Sequence, residues 1–221
     1  MALTGLFLIS FLVIHAGVNA CIWANDDGEM FNKAAHFMGE TVVIRIIEVG
    51  LFVGFIIHII QGYVLESKNL SRRGRGYKIN LANKGSKWYS RTMGLLGTLL
   101  LLFLSMHINH FWIHSRLGNL AGITPLNEIV YSSNPNKPYH NLYGLMLETF
   151  SGNLLVVILY VVGCISLMYH LMHGFQSSFR TLGVYNKKYI SLIRGAGYAF
   201  AIIVSLAFAM MPVSIYLGWV S

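Results

Sequence analysis

Histidines interrupt several of the long apolar runs in this sequence. They lie in FLVIHAGV, GFIIHIIQG, FLSMHINHF and SLMYHLMHGF, at positions His15, His58, His107, His110, His170 and His173. An imidazole ring in apolar surroundings is costly unless something satisfies its nitrogens. A single such histidine is more often a hydrogen-bonded packing residue or part of a proton path than a metal ligand. The arrangement of the whole set therefore has to decide between these roles.

The composition indicates what surrounds these rings. Of the 221 residues, 55% are hydrophobic and 11% are charged, whereas a soluble globular domain carries about 25% charged residues. Five apolar runs, each near the ~20 residues that cross a bilayer as a helix, lie at roughly 3–23, 40–65, 92–114, 152–176 and 195–219. The sequence predicts an all-α integral membrane protein with five transmembrane helices in a single membrane domain, residues 1–221. No basic region precedes the first run, so we interpret it as a span rather than a cleaved signal peptide.

Lysine and arginine concentrate in two of the four connections between these runs. The connection after the second run contains Lys68, Arg72, Arg73, Arg75, Lys78, Lys84, Lys87 and Arg91, and the connection after the fourth contains Arg180, Lys187, Lys188 and Arg194. Basic connections stay in the cytoplasm, so we expect the N-terminus inside and Ser221 outside. The longest outer connection, about 115–151, contains TPLNE and SSNPNKPYHN, which predict a turn-rich loop or a short surface helix.

This orientation assigns a depth to each intramembrane histidine. His15 lies about 12 residues, and His107 about 15, from the predicted cytoplasmic end of its helix, which at ~1.5 Å per residue is a depth of ~18–22 Å. His58 and His170 each lie about 6 residues from that end, at ~9 Å. Four helices thus supply one histidine each, at two depths. The sequence predicts an outer pair, His15 with His107, and an inner pair, His58 with His170.

Paired imidazoles at one depth suit haem. Two of them on facing helices can ligate a haem iron from both sides, and bundle cores are where such sites are built. Gly62 and Gly174 follow His58 and His170 by four positions, and Gly54 precedes His58 by four. Glycines on the ligand face would leave room for the porphyrin. The sequence therefore predicts that the first four helices form a bundle with two haems and four axial histidines.

The spacing leaves two ligand positions ambiguous. His110 is one turn beyond His107 on the predicted face, and His173 is one turn beyond His170. We prefer His107 and His170, because their depths match across the bundle and the glycine follows His170. The remaining histidines fall at or beyond the outer boundary, where we expect structural or solvent-exposed roles; they are His36, His114 and His140.

Four segments together resemble a known family. TGLFLISFLVIH, HIIQGYVL, SRTMGLLGTLLLLFLSMHINHFW and HLMHGFQSSFRTLG are similar to successive helices of the cytochrome b membrane anchor of succinate dehydrogenase and fumarate reductase, in its five-helix, two-haem form. The likeness covers residues 3 to about 210, and H-x-x-x-G-F followed by Gly183 is its most specific part. Two departures are the start at MALTG, where the family usually has a basic segment, and the longer outer connection. If the haem ligand positions of this family are carried over residue by residue, the resemblance implies that the ligands are His15, His58, His107 and His170.

The resemblance implies a role in respiration. Such a subunit holds two haem b groups and anchors a flavoprotein and an iron–sulfur protein on the cytoplasmic side of a bacterial membrane. Electrons pass between the iron–sulfur subunit and a quinone, generally menaquinone, by way of the inner and then the outer haem. The basic connections would offer a positive docking surface, or act only as topology signals. The sequence has no flavin-binding fingerprint, cluster-binding cysteine set or C-x-x-C-H motif. We therefore do not expect succinate chemistry in this chain alone, nor covalent haem attachment.

Glu48 is the one acidic residue predicted well inside a span. It lies ten residues outward from His58, ~15 Å along the helix, near the outer pair. An intramembrane carboxylate is a functional candidate by default, so Glu48 could exchange protons with a quinone there. Arg45, three residues earlier, could pair with Glu48 or with a haem propionate. The alternative is that Arg45 and Glu48 only satisfy each other.

Two other functions remain open on the sequence. The chain could be a haem-free structural anchor, or the dihaem cytochrome b of another respiratory dehydrogenase, such as a hydrogenase or a formate dehydrogenase. The fourth-helix motif and the layout of one histidine per helix argue against the second of these. A transporter is disfavoured because the sequence shows no internal repeat and no pair of broken helices.

Overall fold

The computed structural model describes residues 1–73, 87–118, 120–184, 186 and 188–220. Its α-helices are α1 (Ala2–Ala20), α2 (Glu29–Glu40), α3 (Val42–Arg73), α4 (Trp88–Arg91), α5 (Met93–His107), α6 (His114–Leu117), α7 (Leu142–Phe150), α8 (Leu154–Thr181) and α9 (Ile190–Tyr216). A 3₁₀ turn, Cys21–Ala24, follows α1, and a π-helical turn, Ile108–Ile113, joins α5 to α6. The strands are β1 (Glu128–Val130) and β2 (Pro138–His140).

Five helical segments are long and apolar enough to cross a membrane, as predicted. They are Ala2–Ala24, Val42–Arg72, Met93–Leu117, Leu154–Thr181 and Ile190–Tyr216. The predicted ends differ mainly in the second segment, which was expected to stop near 65, whereas α3 continues to Arg73. Hydropathy marks only the apolar part of a helix. Helix α3, about 48 Å long, continues beyond that part through polar residues, several of which are good helix formers.

Glycines set how closely these helices pack. An added Cβ at Gly163 of α8 would lie 2.4 Å from the ring of Phe103 on α5. A Cβ at Gly197 of α9 would lie 2.6 Å from the ring of Phe175 on α8. Small residues allow such close approach between transmembrane helices, so α8 lies between α5 and α9. The fifth membrane-length helix, α9, therefore packs directly against the bundle formed by the first four.

At one end of the bundle, four elements form a unit that we call the cap: α2, β1, β2 and α7. Strand β1 pairs antiparallel with β2, with Glu128 opposite His140 and Val130 opposite Pro138. The chain is mostly helical, as predicted, but the connection expected to be a turn-rich loop or a short surface helix holds a two-stranded sheet as well as the helix α7. Strands of three residues show no readable alternation of apolar and polar positions, so the sequence gives no period-two signal here.

The cap is organised around one buried amide. Asn32 of α2 has no exposed surface. Its Nδ2 donates to Tyr131 Oη at 2.8 Å and to Asn141 Oδ1 at 3.1 Å, while its Oδ1 accepts from the backbone nitrogen of Tyr143 at 2.9 Å. These bonds join α2 to the connection that contains β1 and β2. Gly28, just before α2, has φ +77°, and a Cβ there would lie 2.2 Å from the Tyr143 ring, so this turn needs glycine.

Part of the predicted basic surface falls on residues that the structure does not describe. Arg75, Lys78, Lys84, Lys187 and Ser221 lie outside the described residues, as does the side chain of Arg73. The remaining cations of the two connections lie near the ends of α3, α5, α8 and α9 that are far from the cap. They are Lys68, Arg72, Lys87, Arg91, Arg180, Lys188 and Arg194.

Candidate functional site

The outer pair is adjacent in the structure. His15 of α1 and His107 of α5 have ring centroids 5.8 Å apart, with an angle of 85° between the planes. Phe11, one turn before His15, stacks on it at 5.1 Å, and Phe208 of α9 lies 5.4 Å from the same ring. Helical spacing places Phe11 on the His15 face. Only the packing of α9 against α1 adds Phe208, which the sequence did not indicate.

The inner pair is also adjacent. His58 of α3 and His170 of α8 have ring centroids 6.1 Å apart, with an interplanar angle of 63°. The hydroxyl of Thr4 lies 3.2 Å from Nδ1 of His58 and donates to the carbonyl oxygen of Met1 at 3.0 Å. The Thr4 oxygen is then free to accept from His58 Nδ1–H. That tautomer leaves a lone pair on Nε2, the arrangement that a metal-ligating histidine needs.

Both separations suit an iron between the rings. A metal–imidazole bond of about 2 Å, with the ring centroid roughly 1 Å behind the nitrogen, puts two opposed centroids about 6 Å apart. The buried Nδ1 atoms of His107 and His170 have no hydrogen-bond partner in the described part of the chain, but an iron bound at Nε2, as inferred for His58, would not satisfy them, so they do not bear on the site. No group of three His, Cys, Asp or Glu side chains converges as a metal site among the described residues. Bis-histidine haem needs only two protein ligands, so these residues fit the group.

The predicted glycines divide into two kinds. A Cβ on Gly174 would meet no atom within 4 Å, while the role of that space in accommodating a porphyrin stays a prediction. A Cβ on Gly62 would instead lie 3.3 Å from Met1 Cε, and one on Gly54 would lie 3.1 Å from the Phe7 ring. In this structure Gly62 and Gly54 allow α1 to approach α3, so the clearance for a flat ring at these two positions stays a prediction.

Two further glycines lie beside the inner pair. A Cβ on Gly5 of α1 would lie 3.7 Å from His58 Cε1, and one on Gly97 of α5 would lie 4.0 Å from His170 Cε1. Each precedes the outer histidine of its own helix by ten residues, ~15 Å. This repeated spacing was the available signal, because it places a glycine at the inner depth on both helices that carry the outer pair.

The alternative ligands have other surroundings. His110 Nδ1 lies 3.0 Å from Tyr160 Oη, and among the described residues no ring contact joins His110 to His15. His173 likewise has no ring contact with His58 in the described ranges. The other three histidines lie in or near the cap, as expected: His36 packs edge-on against Tyr139, His114 Nδ1 lies 2.9 Å from Thr124 O, and His140 ends β2.

Two residues lie closer to the Glu48 carboxylate than Arg45 does. Glu48 Oε1 accepts from Trp112 Nε1 at 2.5 Å and from Arg116 Nε at 3.1 Å, whereas Arg45 Nη1 lies 3.8 Å from Oε2. The Glu48 side chain is 18% exposed and that of Arg116 21%, against 52% for Arg45. Sequence reasoning missed Arg116 because it lies 68 positions away. Gly39 makes room for it, since a Cβ there would lie 3.0 Å from Arg116 Nη1.

Comparison with known proteins adds no further assignment. No family model, curated protein or solved structure matches this chain. Function is therefore inferred from the two histidine pairs and their surroundings.

Proposed function

We propose that this chain is the dihaem cytochrome b membrane anchor of a succinate:quinone oxidoreductase. It would pass electrons between an iron–sulfur subunit and membrane menaquinone. The observation that supports this most directly is the adjacency of His15 with His107 and of His58 with His170. Four separate helices each contribute one ring, and both pairs have the separation that an iron with two imidazoles requires.

The residues around each pair have distinct tasks in this proposal. His58 and His170 would hold an inner haem b, with Thr4 fixing the tautomer of His58. His15 and His107 would hold an outer haem b, where aromatic rings exclude water. When bound, a bis-histidine haem supplies one-electron transfer and has no open position for oxygen chemistry. The open space at Gly174 would accommodate part of the inner macrocycle.

The charge distribution supports the proposed partners and orientation. The described cations of the two basic connections lie away from the cap, as those of cytoplasmic connections do, and outnumber the four that lie in or near it, which are Lys33, Arg45, Arg116 and Lys137. We assign that end to the cytoplasmic side of a bacterial inner membrane, with the N-terminus inside. A positive surface favours docking of partners with complementary charge, which in this proposal are the flavoprotein and iron–sulfur subunits. Succinate chemistry would take place on the flavoprotein.

The quinone would bind near the outer pair. Glu48 remains the candidate for proton exchange, and its hydrogen bonds to Trp112 and Arg116 would hold the carboxylate in place. Arg45 would contribute a second, more exposed cation. An acidic group of this kind inside a membrane protein is a functional candidate because it is costly to keep there.

The first test is a haem count on the intact complex. We expect two haem b per chain by pyridine haemochrome assay, together with copurifying flavoprotein and iron–sulfur subunits. Two haems with hydrogenase or formate dehydrogenase subunits would instead identify another dihaem cytochrome b. Copurification of the succinate dehydrogenase subunits with a chain that contains no haem would identify a structural anchor. The assignment of both histidine pairs would then be wrong.

A further inference from the structure

His110 and Tyr160 form a hydrogen-bonded pair between two helices of the bundle. His110 Nδ1 lies 3.0 Å from Tyr160 Oη, and the two rings are parallel within 6°, with centroids 5.8 Å apart. Tyr160 of α8 is 5% exposed. A buried phenol hydroxyl normally requires a partner, and His110 supplies it.

The π-helical turn at Ile108–Ile113 carries His110. Such turns are rare and occur often at functional sites. In a regular α-helix, residues three and four positions apart lie on one face, so His110 would lie on the same face as His107. With the extra residue in the turn, the His107 ring contacts His15 while the His110 ring stacks on Tyr160. The His107 ring therefore contacts α1 as well as α8, whereas among the aromatic rings of the described residues the His110 ring contacts only Tyr160 of α8 and Phe111.

Tyr160 also touches the ring of His107. Their centroids lie 6.0 Å apart, with 62° between the planes. Phe103 stacks on the other part of the His107 ring at 5.7 Å, and Phe111 lies 5.4 Å away. Tyr160 thus contacts both histidines, and the hydrogen bond to His110 holds its ring in that orientation.

We propose that Tyr160 and His110 are a positioning pair for the outer haem ligand. The hydrogen bond keeps His110 away from the iron, and the Tyr160 ring holds His107 in the orientation that faces His15. This inference rests on the proposed function, since it concerns the haem that His107 would hold. Residues that orient a metal ligand typically affect metal affinity by ~10–100-fold when they are removed.

The test uses the full chain in its complex and substitutions at both members of the pair. Tyr160→Phe keeps the ring and removes the hydroxyl, and His110→Phe keeps a ring and removes the nitrogen. His110→Asn retains a polar atom near the position of Nδ1 and should rescue the contact. The matched control is Tyr169→Phe, because Tyr169 is also on α8 but packs against Trp88 and Tyr89 near the inner pair.

The readouts separate positioning from general stability. We would measure haem per chain, retention of each haem during gel filtration, the midpoint potential of each haem, and the low-spin EPR signal, which depends on the mutual orientation of two imidazoles. The outer signal is the one that disappears in His15→Ala. We expect Tyr160→Phe and His110→Phe to weaken retention of the outer haem roughly tenfold and to shift its potential and EPR signal. The inner haem should not change, and His110→Asn should restore the outer signal.

Three results would overturn the inference. An unchanged outer signal, potential and retention in Tyr160→Phe, with two haems in the wild type, would leave the proposed function intact and remove the positioning role. Complete loss of the outer haem in His110→Asn, with retention in His107→Ala, would make His110 the ligand. A wild-type complex without haem would refute the proposed function, and the positioning role with it.

Discussion

The two histidine pairs lie in different surroundings. The outer pair is surrounded by phenylalanines, including one from α9, and a π-helical turn directly follows His107. The inner pair has a hydroxyl partner, Thr4, and two adjoining glycines, Gly5 and Gly97. At the outer pair the His15 and His107 rings are held by aromatic packing, whereas at the inner pair the His58 ring is held by a hydrogen bond. The two sites should therefore respond independently to substitution.

Replacing one ligand of one pair gives the largest expected effect. His58→Ala removes an inner ligand, so we expect the haem content to fall from two to about one per chain, with the outer optical and EPR signals kept. His15→Ala should give the converse result. His140→Ala, in the cap, is the matched control and should retain both haems. Loss of both haems from either variant would mean that the pairs are not independent.

Glu48→Gln should affect quinone chemistry at the outer end only. The amide is nearly isosteric but cannot exchange protons, and general acid–base groups contribute about 100-fold or more. We expect quinone turnover to fall by about that factor, with both haems in place. Glu128→Gln, in β1, serves as control. If Glu48→Gln kept the quinone turnover of the wild type, the contacts of Glu48 with Trp112 and Arg116 would be purely structural.

Thr4→Val should weaken the inner pair alone. The substitution keeps the shape of the side chain and removes the oxygen 3.2 Å from His58 Nδ1. We expect roughly tenfold weaker retention of the inner haem, measured from the optical spectrum after gel filtration. Thr149→Val, in α7, is the control, because the Thr149 hydroxyl donates to the Leu145 carbonyl oxygen of its own helix. If Thr4→Val changed the outer haem instead, the assignment of depth would be wrong.

The smallest expected effect concerns the cap. Hydrogen bonds from Lys33 and from Ser133 hold the pKa of Glu29 below its usual value. A carboxyl whose pKa is lowered by folding contributes stability above its unfolded pKa, about 4.3, and loses it as pH falls through the folded value. We expect slightly greater loss of thermal stability below pH 4 in the wild type than in Glu29→Gln. Parallel curves for the two proteins would show that the ion pair contributes nothing measurable.

Much of the site could be predicted because a transmembrane helix converts sequence position into depth. With a fixed rise per residue and alternating helix directions, the spacing of His15, His58, His107 and His170 was enough to pair them. Which other groups approach those rings could not be read in this way. Phe208, Arg116 and Tyr160 lie on helices far away in sequence, and only packing brings them into contact with His15, Glu48 and His110.

The sequence by itself determined the five apolar helices, the two depths of the histidines and the clustering of basic residues. Each of these is a property of one segment at a time, set by hydropathy or by helical rise. Only the tertiary structure decided the short sheet of the cap, the π-helical turn and the hydrogen bond between His110 and Tyr160. These features depend on contacts between segments, where steric fit and hydrogen bonding override the regular period of any one helix.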